Sequence, residues 1–194
     1  KERLLPRCIS GETILGIAMT EPGAGSDLAG IKARAVRDGD DWVINGSKTY
    51  ISNGINGGAF VVAARTVPDK PHGIGLFVVE EDMEGFSRGR NLAKMVLKSQ
   101  DTAELFFENV RVPAENVLGD PQKGFYSLMR FLAEERLISA CQAVAHGQIA
   151  FDLTMDYILE RKAFGKPIGA FQNSRFKMAE MRTALDVTQT FIDQ

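Results

Sequence analysis

Between residue 12 and about residue 116, short runs of Val, Ile, Phe and Tyr alternate with Gly, Asn, Asp and Pro. Such punctuation marks strands joined by turns. Strands are predicted at 14–20, 31–37, 41–44 continued by 48–52, 59–64, 74–80 and 102–112. Asn45 and Gly46 both tolerate positive φ, so they predict a hairpin turn between 42–44 and 48–51. Asn53 with Gly54, and Asn56 with Gly57 and Gly58, repeat that chemistry in a glycine-rich loop. No helical pattern separates the strands, which favours an antiparallel barrel or sandwich over a parallel βαβ sheet and disfavours a Rossmann domain.

After Gly119 the period changes. Apolar residues recur at three- and four-residue steps from 125 to 161, through Leu128, Phe131 or Leu132, Leu137, Cys141, Val144 and Gln148. That spacing predicts one long helix. Gly165, Pro167 and Gly169 predict a turn over 162–170, and from Phe171 a second helix follows through Phe176, Met178, Met181, Leu185, Thr188 and Ile192. Neither helix can bury its apolar face alone, so partner helices are expected from further chain or another subunit. The fold class is α+β: an antiparallel β-barrel or sandwich followed by part of an α-helical bundle. The expected organisation is the end of a helical domain over 1–12, a β domain over 13–117 and the first helices of a bundle over 118–194. Both ends look cut, since no Met opens the chain and the last residues stop inside a helical pattern.

Composition narrows the function classes. No run of eighteen apolar residues occurs, so no membrane-spanning helix is expected. Lys and Arg number 23 against 25 Asp and Glu, a formal charge of -2, which argues against a surface built to grip nucleic acid. Any anionic ligand must meet a local basic patch. Two cysteines, Cys8 and Cys141, are too few for a disulfide framework and point to an intracellular setting. His72 and His146 lack ligand-like spacing, and no metal site is expected.

Three stretches could carry chemistry. Residues 17–27 run from a strand into a small-residue loop, where Gly23 and Gly25 bare backbone amides and Thr20 and Ser26 add hydroxyls. The loop is not GxGxxG, and Gly46, Ser47, Lys48 and Thr49 are not a P-loop. A ligand cradle and an ordinary glycine-rich turn both remain open. Glu134, Glu135 and Arg136 are either a solvated helix face or, if partly buried, a carboxylate basic enough to take a proton from carbon. Arg161, Lys162 and Lys166 either oppose a helix dipole or hold a pyrophosphate. Arg88, Gly89 and Arg90, with Lys94 and Lys98, form another basic stretch in an irregular region, meeting phosphates or water.

Four segments together resemble the acyl-CoA dehydrogenase family: AMTEPGAGSDLAGIK at 18–32, INGSKTYISNG at 44–54, AELFFENVRVP at 103–113 and ERKAFGKPIGAFQ at 160–172. Their order and spacing fit the family across nearly the whole chain. The wording of 100–119 and the start of the long helix are most similar to the long-chain branch. The resemblance implies an N-terminal helical domain, a middle β domain and a C-terminal bundle, of which this chain holds the middle and the start of the last. It also implies FAD-dependent α,β-desaturation of an acyl-CoA thioester, as in fatty-acid β-oxidation.

The resemblance further implies roles for individual residues. Ile17, Ala18, Met19, Thr20, Gly25 and Ser26 line the flavin, and Tyr50, Ile51 and Ser52 pack on its face, with Tyr50 standing where most relatives carry Trp or Phe. Arg161 and Gln172 bind the diphosphate and adenosine portion of FAD, commonly across a subunit interface. Ser26, Pro71, His72, Tyr126 and Arg136 contact acyl-CoA. Many members keep the catalytic Glu near the C-terminus. The long-chain and isovaleryl branches place it on the long helix before Arg and Leu, as in Glu135, Arg136 and Leu137, so Glu135 is the expected base and Glu134 its rival. A homo-oligomer, a dimer of dimers, is implied, with electron-transfer flavoprotein as acceptor, in a bacterial cytoplasm or a mitochondrial matrix. An acyl-CoA oxidase-like flavoprotein and a non-catalytic acyl-CoA- or flavin-binding protein are the alternative readings.

Overall fold

The computed structural model describes residues 2–194. Lys1, the first residue of the expected 1–12 segment, lies outside the described residues. The chain divides into two compact units, Lys1–Met129 and Arg130–Gln194.

The first unit opens with a short helix, α1 (Leu5–Ile9), carrying Pro in its first turn, where a missing N–H costs nothing. Seven strands follow: β1 (Leu15–Ala18), β2 (Arg34–Asp38), β3 (Asp41–Ser52), β4 (Ala59–Arg65), β5 (Ile74–Glu80), β6 (Phe86–Asn91) and β7 (Thr102–Val112). They form one sheet in the order β1-β4-β2-β3-β7-β6, with β5 on β4. Because β4 and β5 are buried on both faces, their sequences read as continuous apolar runs rather than alternations. Alternate residues serve two cores. Phe60, Val62, Phe77 and Val79 join Ile44, Ile51, Leu105 and Val110 on one side. Ala63, Ile74 and Leu76 join Ala24 and Ile31 on the other, where Phe125 and Leu128 pack against them.

The sheet departs from expectation in three places. It is mixed rather than wholly antiparallel: β1 runs parallel to β4, pairing Leu15 with Ala59, and β2 touches β4 in parallel at Arg34 and Arg65. The expected hairpin at Asn45 and Gly46 does not form. β3 continues through both residues, which make a bulge against β7, and the turn lies earlier, at Gly39 (φ +64) between the paired Asp38 and Asp41. Gly46 is needed there for close packing, since a Cβ would stand 2.6 Å from that of Ala33. Asn45 Oδ1 accepts the amide of Asn109 at 2.9 Å across the bulge. Finally, Arg88, Gly89 and Arg90 lie on β6, whose polar sequence hid a strand held by pairing with β7.

Helix α2 (Gly124–Glu160) begins in the first unit and runs through the second, followed by a hairpin of β8 (Lys162–Ala163) and β9 (Lys166–Pro167) and by α3 (Gln172–Ile192). Both long helices lie where the sequence predicts them, although Phe131, Leu137 and Cys141 of the predicted α2 stripe are exposed. Gly147 lets α3 approach α2: a Cβ there would meet Leu185 at 2.9 Å. Beside this contact, Ala140, Ala143, Phe151, Met181 and Leu185 line an open apolar groove of about 600 Å³.

Candidate active site

β1 ends at Ala18, and the chain turns at once through the small residues of 22–26. Glu21 and Ala24 exchange both backbone hydrogen bonds, at 2.9 and 3.1 Å, closing a turn over Pro22 and Gly23. A Cβ at Gly23 or Gly25 would meet nothing within 4 Å, so the backbone of this loop stands open to a ligand. Ser26 is exposed and Thr20 half-buried.

Two bonds stitch this segment to the second half of β3. The Thr49 amide donates to Thr20 O at 2.9 Å, and Asn53 Nδ2 donates to Leu15 O at 2.9 Å. β1, its loop and residues 49–53 therefore lie side by side. Ile17, Tyr50 and Ser52 are exposed there, whereas Ala18 and Ile51 are buried in the core and present only backbone. Tyr50 is 69% exposed with φ at +57, a left-handed conformation unusual for a bulky residue, at a second bulge in β3.

Beneath the loop lies a charged pair that sequence reasoning missed. Lys48 is wholly buried, and its Nζ donates to Glu21 Oε1 at 2.8 Å and to Met19 O at 3.0 Å. Burial pushes the Lys48 amine below its ordinary value, against the opposing pull of Glu21. The two residues stand 27 positions apart, so no local pattern could have paired them.

A second cluster gathers at the start of α2. His72 stacks on Phe125 with ring centroids 4.2 Å apart and meets Tyr126 edge-on at 5.8 Å. His72 and Tyr126, with Lys70, Pro71, Asp120 and Lys123, line an open recess of about 570 Å³. The structure thus brings Pro71, His72 and Tyr126 together, with two lysines that could meet an anionic group.

In the second unit, Glu134, Glu135 and Arg136 are all exposed on α2, so the partial burial that a proton-abstracting carboxylate needs is not supplied by the described residues. Ser139 Oγ donates to the Glu135 carbonyl at 3.1 Å, leaving the carboxylate outside that bond. Arg161 ends α2, Gln172 opens α3, and both are exposed. Between them the β8–β9 hairpin turns on Phe164 and Gly165, both with positive φ, as a tight hairpin of matching twist requires. Phe164 is 95% exposed, and Lys166 Nζ sits 4.5 Å from the Phe171 ring. Phe164 was not singled out from the sequence. The available signal was a large aromatic before Gly at a turn centre. Among the described residues, no group of three or more His, Cys, Asp or Glu could hold a metal, and no helix is long and apolar enough to cross a membrane.

In the first unit, the open loop and the exposed Tyr50 ring offer polar donors beside a flat apolar surface; in the second, the hairpin carries cations that could meet a phosphate. Taken each by itself, these groups suit parts of FAD: hydroxyls and bare amides a ring edge, the Tyr50 ring a ring face, and the Arg161 guanidinium a phosphate.

Two family models match consecutive stretches of the chain: acyl-CoA dehydrogenase, middle domain, over residues 16–110, and acyl-CoA dehydrogenase, C-terminal domain, over 122–194. The mitochondrial long-chain specific acyl-CoA dehydrogenase of Mus musculus is 48% identical over 195 residues, covering 99% of this chain and 45% of that relative. The chain spans about half the length of the curated relatives it matches. The crystal structure of an acyl-CoA dehydrogenase from Geobacillus kaustophilus superposes with a TM-score of 0.97 at 52% identity, over 100% of this chain and 52% of that one. A glutaryl-CoA dehydrogenase from Mycobacterium smegmatis, solved in complex with FADH2, gives a TM-score of 0.91 at 33% identity, over 99% of this chain and 48% of that one. Two models of one family, met in their own order on a shared fold, make the chain a member of the acyl-CoA dehydrogenase family.

Proposed function

We propose that the chain is the cofactor- and substrate-contacting part of a FAD-dependent acyl-CoA dehydrogenase that converts an acyl-CoA, of long chain, to the trans-2-enoyl-CoA. The observation that carries this reading is Tyr50. Its exposed ring on strained backbone stands beside a loop offering the Thr20 and Ser26 hydroxyls, a flat apolar surface next to polar donors. A glutaryl-CoA dehydrogenase of the same fold is solved with FADH2, which supports the choice of cofactor. The long-chain relative at 48% identity supports the substrate class.

FAD, when bound, supplies the acceptor for the hydride leaving the β carbon. Glu135 takes the proton from the α carbon. That carbon is a weak acid, so the thioester oxygen needs hydrogen bonds that strengthen as enolate charge develops. Ile17, Ala18, Met19, Thr20, Gly25 and Ser26 bind and orient the ring, Tyr50, Ile51 and Ser52 form its wall, and Arg161 and Gln172 hold the diphosphate and adenosine end. Ser26, Pro71, His72, Tyr126 and Arg136 bind the acyl-CoA. Electron-transfer flavoprotein accepts the electrons, and the protein works inside the cell as a homo-oligomer.

The test is an anaerobic visible spectrum of the purified protein titrated with acyl-CoAs of increasing chain length. The expected result is bleaching of the flavin band, greatest for long chains. Glu135→Gln should still bind FAD and acyl-CoA but lose flavin reduction by roughly 10²–10⁴-fold, the usual worth of a positioned base. Glu134→Gln points about 100° away on the helix and should stay near the parent rate. Near-normal rates in both variants would remove Glu135 as base, and a flavin that never bleaches would favour a non-catalytic binding protein.

A further inference from the structure

The chemistry proposed above makes no use of Lys48 and Glu21, although the ammonium is wholly buried and the carboxylate only 7% exposed. A buried ion pair is a poor source of stability, because desolvation offsets most of the attraction. These two groups spend their remaining bonds on backbone atoms at both feet of one loop. Lys48 Nζ donates to Met19 O at 3.0 Å, before the loop. Glu21 Oε2 accepts the Lys32 amide at 2.6 Å and Oε1 accepts the Ala33 amide at 3.0 Å, after it. The chain between, 22–31, includes Gly25 and Ser26. Arg65 supports only its far half, donating to Ala29 O at 2.5 Å and Ile31 O at 3.2 Å. The near half, which carries the open glycines and the serine hydroxyl, is held by the charged pair, the amide hydrogen bond between Thr49 and Thr20, the Glu21–Ala24 turn and the burial of Ala24.

We propose that Lys48 and Glu21 are positioning residues that clamp the feet of loop 22–31 and so fix where its amides and hydroxyls stand against the flavin. The inference rests on the function proposed above. Hydrogen bonds to the ring tune both affinity and potential, so a slack loop alters both.

The decisive variant is Glu21→Gln with Lys48→Met, which buries no charge; Glu21→Gln and Lys48→Met are made singly beside it. Hydrogen exchange of the loop amides reads the clamp without any cofactor. FAD titration and a reductive titration against a reference dye read affinity and potential. The expected result is exchange over 22–26 faster by about tenfold with β4 and β5 unchanged, FAD bound about tenfold more weakly, and a displaced flavin potential and visible band. A lowered melting temperature with loop exchange, affinity and potential all at parent values would overturn the proposal, leaving a merely structural pair. A parent protein that takes up no flavin would overturn the proposed function instead, and the exchange data would still decide whether the clamp exists.

Discussion

Tyr50 and Phe164 hold their backbones at φ of +57 and +52 while exposing most of their rings. A left-handed conformation costs an L-residue about 1–2 kcal/mol, which the surrounding structure must offset. Phe164→Gly removes that cost and returns part of it as chain entropy, so the protein should gain about 0.5–1 kcal/mol in stability. Thermal melts check this: the melting point should rise, and a lower one would show that the contact of the Phe164 ring with Phe171 outweighs the backbone cost. At this scale the sequence was only partly legible. The open loop after β1 could be read from its glycines and hydroxyls. Asn45 and Gly46 could not, because positive φ suits a bulge as well as a turn, and the deciding contact is Ala33, thirteen positions earlier (46 − 33). Lys48 lies in a predicted strand, and nothing in its local pattern marks Glu21, brought beneath it by tertiary pairing, as its partner.

The elements were more legible than the residues within them. Runs of β-branched and aromatic residues located β3, β4, β5 and β7, and the 3.6-residue period located α2 and α3, since burial of one stripe or face leaves that pattern in any order of assembly. β6 left no such trace, being Phe-Ser-Arg-Gly-Arg-Asn. The segment before α1 is tied to β5 by one side chain: Arg3 donates to both oxygens of Glu80, at 2.6 and 2.7 Å, and to Asn116 Oδ1 at 3.2 Å. The hydrogen bond from Arg3 holds the Glu80 carboxyl below its ordinary value of 4.5, while burial works the other way. A depressed folded value means the pair contributes stability above about pH 4.5 and loses it as pH falls through the folded value. The stability difference between parent and Glu80→Gln should thus stay constant from neutral pH to about pH 5 and close below about pH 4. Denaturant midpoints taken across that range measure it. A difference that persists undiminished at pH 3 would show that Arg3 does not act through the charged carboxylate.

For the molecule as a whole, composition and period together reached the α+β class and the β-then-helix order. The parallel pairing was out of reach. Strand direction leaves no mark on a residue run, and the absence of intervening helices argued only against the βαβ form of a parallel sheet. Ile149, Leu153, Tyr157, Phe176 and Phe191 are exposed in the described chain, the pattern on which the expectation of partner helices rests.

β1 carries a consequence in time as well as in space. The strands β4 and β5 are joined through a short loop, as are β2 and β3, so each pair can zip locally. β1 cannot: Leu15 pairs with Ala59, forty-four positions on (59 − 15), and that long loop must close before any contact rewards it. The strand made first is therefore expected to dock after the β2–β3 and β4–β5 pairs have formed. Ala18→Gly, at a fully buried site on β1, should then speed unfolding and leave the refolding rate almost untouched in stopped-flow mixing. Refolding slowed in proportion to the lost stability would place β1 in the nucleus. Until β1 docks, the chain can hold its β2–β3 and β4–β5 pairs but lacks the strand that leads into loop 22–31.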